Sequence, residues 1–264
     1  MPIRPLMPML VSVVLAAGCS MSSNDAGNGG EAPAPAPPPP AAEAPVATSP
    51  AAAASGATAN SDVDATGALR LVVGDATIDL QSAGCTVDGD VRRCDDAEVT
   101  VTDADGVPRS ARVSTLTIDP RTTAYRGRLA SPVDQAGRSI VLADIDADGR
   151  KDLALRTGSL GGYGSASYDV FIADDSGFRP SPALSALTHG ALGLFTLEDG
   201  HLVRRSKSGC CLHTTERYAV GADGPELVEE VIEDSTGNRA VPDVSIRRRI
   251  DGEMRAVDAA DRGI

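Results

Sequence analysis

The sequence predicts an all-β fold, an antiparallel β-sandwich-like domain over residues 65–264, on three observations. Short segments alternate apolar and polar residues with period two, as in Thr77-Ile-Asp-Leu80 and Val99-Thr-Val-Thr102. Asp-Gly dipeptides beginning at Asp88, Asp105, Asp199, Asp223 and Asp251 punctuate those segments, and this pair is the strongest short-range hairpin signal. Helical character is confined to one short stretch, Pro182-Ala-Leu-Ser-Ala-Leu187. About 200 residues suit a single domain. With three Phe, four Tyr and no Trp, its core must be Val, Leu, Ile and Ala.

In chain order, the first strands expected are Ala68–Val73 and Ala76–Leu80. Glu98–Thr102 and Ala111–Ile118 follow on either side of Asp105-Gly106. Ser139–Leu142, Asp152–Arg156 and Tyr168–Ile172 come next, then Gly193–Leu197 and His201–Arg205 around Asp199-Gly200. Arg217–Val220 and Leu227–Ile232 bracket Asp223-Gly224, and Val244–Ile250 and Met254–Val257 bracket Asp251-Gly252.

The segment before the domain has a different composition. Arg4 is a short positive region, residues 6–17 are apolar, and Leu15-Ala-Ala-Gly-Cys19 follows. That apolar run is too short to span a bilayer and has the form of a signal peptide covering residues 1–18. Its ending resembles a lipobox, in which Cys19 is lipidated and becomes the first mature residue; the usual Leu stands one place early. Ser20 rather than Asp after the cysteine resembles the sorting pattern for the outer membrane, facing the periplasm. Residues 19–64 are mostly Ser, Asn, Gly, Ala and Pro, including Ala-Pro-Ala-Pro-Ala-Pro-Pro-Pro-Pro at 32–40. Such a stretch has nothing to bury and reads as a disordered tether.

One nine-residue run carries chemistry. Asp144-Ile-Asp-Ala-Asp-Gly-Arg-Lys-Asp152 places carboxylates at loop positions 1, 3, 5 and 9 with glycine at 6, the pattern D-x-D-x-D-G-x-x-D. Four acids this close repel one another unless a hard divalent cation lies among them. Asp144, Asp146, Asp148 and Asp152 each offer an oxygen, the Arg150 carbonyl offers another, and Gly149 gives the sharp turn. Apolar strands lie on both sides, and position 12 is Leu155 rather than the glutamate of an EF-hand. The reading is a calcium loop between β-strands. Asp103-Ala-Asp-Gly106 imitates the start of a second loop but lacks the later ligands, so a hairpin turn is expected there.

Tyr163 stands apart among the few aromatics. It lies in Gly158-Ser-Leu-Gly-Gly-Tyr-Gly-Ser165, and a rigid aromatic framed by glycines has the form of a binding hot spot. Tyr168 reads as a core or cross-strand residue. Setting Cys19 aside leaves four of the five cysteines, Cys85, Cys94, Cys210 and Cys211, enough for two disulfides in an oxidising compartment. Local pairing of Cys85 with Cys94 leaves a vicinal Cys210–Cys211 bond; crossed pairing would tie distant elements together. A zinc site using Cys210, Cys211 and His213 is disfavoured because adjacent cysteines lack ligand spacing.

No catalytic constellation is found: the three histidines form no H-E-x-x-H, and no G-x-S-x-G occurs. The formal net charge is −13, and loss of Arg4 with the signal peptide makes it −14. Such a surface disfavours nucleic acid and attracts a basic partner.

The calcium loop, the Gly/Ser/Tyr segment, Tyr168-Asp-Val-Phe-Ile172, and Ser206-Lys-Ser-Gly-Cys-Cys-Leu-His213 followed by Tyr218 together carry a resemblance. They are similar to a family of calcium-binding immunity lipoproteins that protect bacteria from lysozyme-like effectors of type IV secretion systems. That family is in turn similar to periplasmic inhibitors of invertebrate-type lysozyme. The resemblance covers roughly residues 135–235 together with the lipobox. It implies an all-β inhibitor that inserts a Ser/Gly/Tyr loop, here Ser159, Gly161, Gly162, Tyr163 and Ser165, into the cleft of a basic lysozyme-like peptidoglycan hydrolase. Leu160 stands where those inhibitors have glycine. The alternative is an integrin-like calcium-stabilised binding or adhesion module, which would repeat the calcium loop several times. An envelope hydrolase is a third reading, without catalytic residues to support it.

Overall fold

A computed structural model describes residues 67–258, apart from 122, 130–136, 159–165, 222 and 237–240. The described residues belong to one contact unit, Ala51–Ile264. They form sixteen strands in three sheets and one helix.

The first sheet contains β1 (Leu69–Val73), β2 (Ala76–Gln81), β3 (Gly84–Asp88), β4 (Val91–Thr102) and β5 (Pro108–Ile118). Long β4 organises it. One edge of β4 pairs with β2 at one end and β3 at the other, while β5 runs along its second edge. The period-two pattern places Leu69, Leu71 and Val73 inward and Arg70 and Val72 outward.

The second sheet has the order β10-β9-β8-β7-β6, with β6 (Ala124–Arg126), β7 (Ile140–Ala143), β8 (Asp152–Arg156), β9 (Tyr168–Asp174) and β10 (Gly177–Pro180). Every residue of β7 and β8 is buried, which explains why both read as nearly continuous apolar runs. Leu153 and Leu155 face a core shared with the first sheet, including Ile78, Leu80, Leu116 and Ile118. Ala154, from the opposite face, joins a second core with Tyr168, Val170, Leu184, Phe195 and Leu202. Burying each such large apolar side chain contributes about 1.5–3 kcal/mol.

The third sheet is a meander of β11 (Thr196–Glu198), β12 (His201–Ser208), β13 (Leu212–Gly221), β14 (Gly224–Asp234), β15 (Asp243–Ile250) and β16 (Glu253–Val257). Its Leu202 and Tyr218 reach the second core, alongside helix α1 (Pro182–Thr188). Farther out, cross-strand ion pairs such as Arg248–Glu229 at 2.8 Å replace apolar burial.

The all-β, sandwich-like architecture expected from sequence is present, in three sheets whose pairings are antiparallel except that β6 pairs with β7 in parallel. Strands β3, β6 and β10 were not expected, and β4 begins seven residues earlier than Glu98. All five Asp-Gly pairs lie at hairpin turns; Asp199 and Gly200 have φ of 50° and 75°, and Asp251 and Gly252 have 53° and 83°. The core is less purely aliphatic than expected: Tyr125, Tyr168, Phe195 and Tyr218 concentrate in the second cluster and Phe171 in the first.

Candidate functional site

Residues 144–151 leave β7 and return as β8, through positive φ at Ala147 (65°) and Gly149 (92°). The turn is held by its own carboxylates. The Gly149 N–H donates to Asp144 Oδ2 at 3.1 Å, the Asp148 N–H to Asp146 Oδ1 at 3.2 Å, and the Arg150 N–H to Asp148 Oδ1 at 2.7 Å. Asp152, fully buried at the start of β8, accepts the Ile145 N–H at 2.7 Å on one oxygen and the Ala173 N–H at 2.8 Å on the other.

This folding brings together Asp144, Asp146 and Asp152, with one oxygen from each lying within 4.8 Å of the others. Asp148 is not in that cluster; Arg150 Nε lies 3.6 Å from Asp148 Oδ2, and Arg150 Nη1 pairs with Asp175 at 2.8 Å. Burial pushes the Asp152 carboxyl up to about 7 against the pull of its backbone donors. Burial also raises Asp146, with Asp148 and Asp144 adding like-charge repulsion. Asp144 Oδ1 is buried without a hydrogen-bond partner.

Among the described residues, none of these three carboxylates forms an ion pair. The second acidic turn is the instructive contrast. There Arg109 binds Asp103 at 3.0 Å and Asp105 at 2.7 Å, and Arg126 lies 3.2 Å from Asp103, so guanidinium groups supply the positive charge. The Asp144, Asp146 and Asp152 cluster has the acids without such a partner, because Arg150 in the same loop pairs with Asp148 and Asp175 instead. Its donors are all oxygen, one of them buried and orphaned, and that set fits a hard cation such as calcium rather than a thiophilic one.

The far end of β8 is held just as firmly. Buried Arg156 donates from Nε to the Gly158 carbonyl at 3.0 Å and from Nη1 to the Gly137 carbonyl at 3.1 Å. The Thr157 N–H donates to the Ser167 carbonyl at 2.9 Å, and the buried Tyr168 hydroxyl to the Arg138 carbonyl at 2.8 Å. Ser159, Gly161, Gly162, Tyr163 and Ser165 lie outside the described residues, as does Cys19. Sequence reasoning missed Arg156, because nothing local marks an arginine at the end of an apolar strand as buried.

Cys85 and Cys94 stand opposite each other in the β3/β4 register and are bonded, with Cys94 fully buried. Cys210 and Cys211 are bonded to each other at the β12–β13 turn, which leaves no thiolate there for zinc. A cavity of about 500 Å³ beside the acidic loop is lined by Asp144, Lys151, Arg128, Leu197, Asp199 and Gly200, so the β11–β12 turn adjoins the carboxylate cluster.

No family model matches the chain, and no curated protein matches it. A solved structure described as a Xanthomonas type IV secretion system related protein is similar to it, with a TM-score of 0.70 and 30% sequence identity. The match covers 77% of this chain and 99% of that one. At that identity and coverage, the chain belongs to the family of that type IV secretion system related protein.

Proposed function

We propose that the chain is an envelope immunity lipoprotein, anchored through Cys19, that binds and inhibits a lysozyme-like peptidoglycan hydrolase. It is not itself an enzyme in this reading. The observation that carries it is the relation to a type IV secretion system related protein, on a domain whose β8 leads from the acidic loop to the Ser159–Ser165 segment. Calcium held by Asp144, Asp146 and Asp152 fixes one end of β8, and Arg156 fixes the other. A firmly held strand reduces the ordering cost of presenting Tyr163 to a partner. Its phenol would enter the hydrolase cleft and hydrogen-bond a catalytic carboxyl group, which flanks the scissile bond in glycosidases.

The test is inhibition. Purified mature chain, with calcium, is titrated into invertebrate-type and other lysozyme-fold muramidases acting on peptidoglycan. Loss of lytic activity in at least one supports the reading, and full activity in all of them refutes it. The integrin-like alternative gains no specific support, since the second acidic turn is closed by Arg109 and Arg126.

A further inference from the structure

The two disulfides have different physical settings. Cys94 is fully buried in β4, between Cys85 of β3 and Leu116 of β5, and belongs to the first core. Cys85 packs against that core, with Ser82 Oγ 3.4 Å from its sulfur. Cys210–Cys211 links neighbours in sequence, so it constrains the unfolded chain little. Cys210 is exposed, Cys211 half-buried, and neither belongs to a hydrophobic core.

The sheet holds the hairpin tip without the bond. β12 and β13 pair from Leu202–Tyr218 out to Ser208–Leu212, so the turn is Gly209, Cys210 and Cys211, with Gly209 at φ of 65°. β14 pairs along β13 as far as Leu212–Asp234, and the Ser235 N–H donates to the Cys211 carbonyl at 2.9 Å. All of these are main-chain pairings that a change at the sulfurs leaves in place. Thiol attack also needs an accessible sulfur and a leaving thiolate that is solvated. Attack at half-buried Cys85 would release the Cys94 thiolate into an apolar core, where burial disfavours its charge. Attack at Cys210 meets an exposed sulfur and releases Cys211, which solvent still reaches.

We infer that Cys210–Cys211 is a thiol-exchange site, reversibly opened by a small thiol while Cys85–Cys94 and the fold stay intact. This modification does not depend on the proposed function. A thiolate attacks Cys210 Sγ; a sulfur–sulfur bond forms to Cys210 as the Cys210–Cys211 bond breaks, and its electron pair leaves on Cys211 Sγ, which takes a proton from water. A second thiolate then attacks the thiol-derived sulfur of the mixed disulfide and releases Cys210 as a thiol. The pair is reduced by two electrons, and the two small thiols are oxidised to their disulfide. Attack by Cys211 on the mixed disulfide reverses the first step.

The experiment treats the folded chain with dithiothreitol, traps free thiols with iodoacetamide at intervals, and maps the peptides. The expected result is alkylation of Cys210 and Cys211 at least tenfold faster than of Cys85 and Cys94, with native-like melting of the opened protein. Two single variants read which sulfur is attacked. Cys211→Ser leaves Cys210 as the free thiol and should react with an aromatic disulfide reagent at least tenfold faster than Cys210→Ser, which leaves Cys211. If either variant misfolds, the time course on the native chain decides alone. Opening of Cys85–Cys94 at an equal or greater rate overturns the inference. So does a Cys210–Cys211 bond that resists the thiol until denaturant is added, or one whose opening unfolds the chain.

Discussion

Asp152 and Arg156 open and close the same five-residue strand, and both are buried while bound to main-chain groups at opposite ends of β8. Asp152 accepts from Ile145 and Ala173, and Arg156 donates to Gly137 and Gly158. An acid fixes the loop before the strand and a base fixes the residue leading into the segment after it. This is how a cation site at one end of the strand would stabilise a contact element at the other.

Calcium binding should stabilise the fold. A ligand at a hundred times its dissociation constant adds about 2.7 kcal/mol, several degrees in melting temperature for a domain this size. Chelation should lower the melting temperature by that amount, and Asp146→Ala should abolish the sensitivity. Identical melting with calcium and with chelator would remove the cation from the account.

The arginine-filled turn should behave oppositely. Arg109→Met leaves Asp103, 15% exposed in its side chain, with less compensation, and is expected to cost about 1 kcal/mol. That loss should be independent of calcium, as read from urea midpoints with and without chelator. A calcium-dependent loss would make this turn a second cation site.

Alkali should weaken the protein through Tyr168. Burial pushes its phenol up to about 12, above the ordinary value of 10.0. The folded state therefore holds the proton longer than the unfolded state, so this stability is intact below pH 10 and lost as pH rises towards 12. The shift corresponds to about 2–3 kcal/mol. Urea midpoints at pH 9 and pH 11.5 should differ accordingly, with Tyr218, also raised to about 12, adding to the fall. Tyr168→Phe should start lower, lacking the bond to the Arg138 carbonyl, and decline less steeply.

Disulfide mapping checks the covalent frame. Non-reducing digestion should give Cys85 and Cys94 as one linked pair. Recovery of Cys85 joined to Cys210 or Cys211 would contradict it.

Much of the fold was legible because its signals are local. The Asp-Gly turns declare themselves through the positive φ that a two-residue hairpin needs, and β8 was expected with its observed limits, Asp152–Arg156. β3 escaped notice because it buries no side chain fully, β6 because it has three residues, and β10 because Gly177 and Pro180 bound it. The parallel pairing of β6 with β7 is a long-range relation that no local pattern encodes. Spacing marked the acids of the 144–152 run, but not which would converge. Asp148 lies outside the group that Asp144, Asp146 and Asp152 form; its Oδ1 takes the Arg150 N–H and its Oδ2 lies 3.6 Å from Arg150 Nε. The arginines that neutralise Asp103 come from β5 and β6, and only the folded chain brings Arg126 to that turn.

Residual muramidase activity reads the proposed inhibition through the segment after β8 directly. Native chain with calcium should abolish lysis at stoichiometric concentration, with inhibition weakening as salt screens an acidic inhibitor from a basic enzyme. Tyr163→Ala should melt normally and lose at least ~2 kcal/mol of affinity, about thirtyfold in the inhibition constant. Undiminished inhibition by that variant, or full lysis in the presence of the native chain, would contradict it.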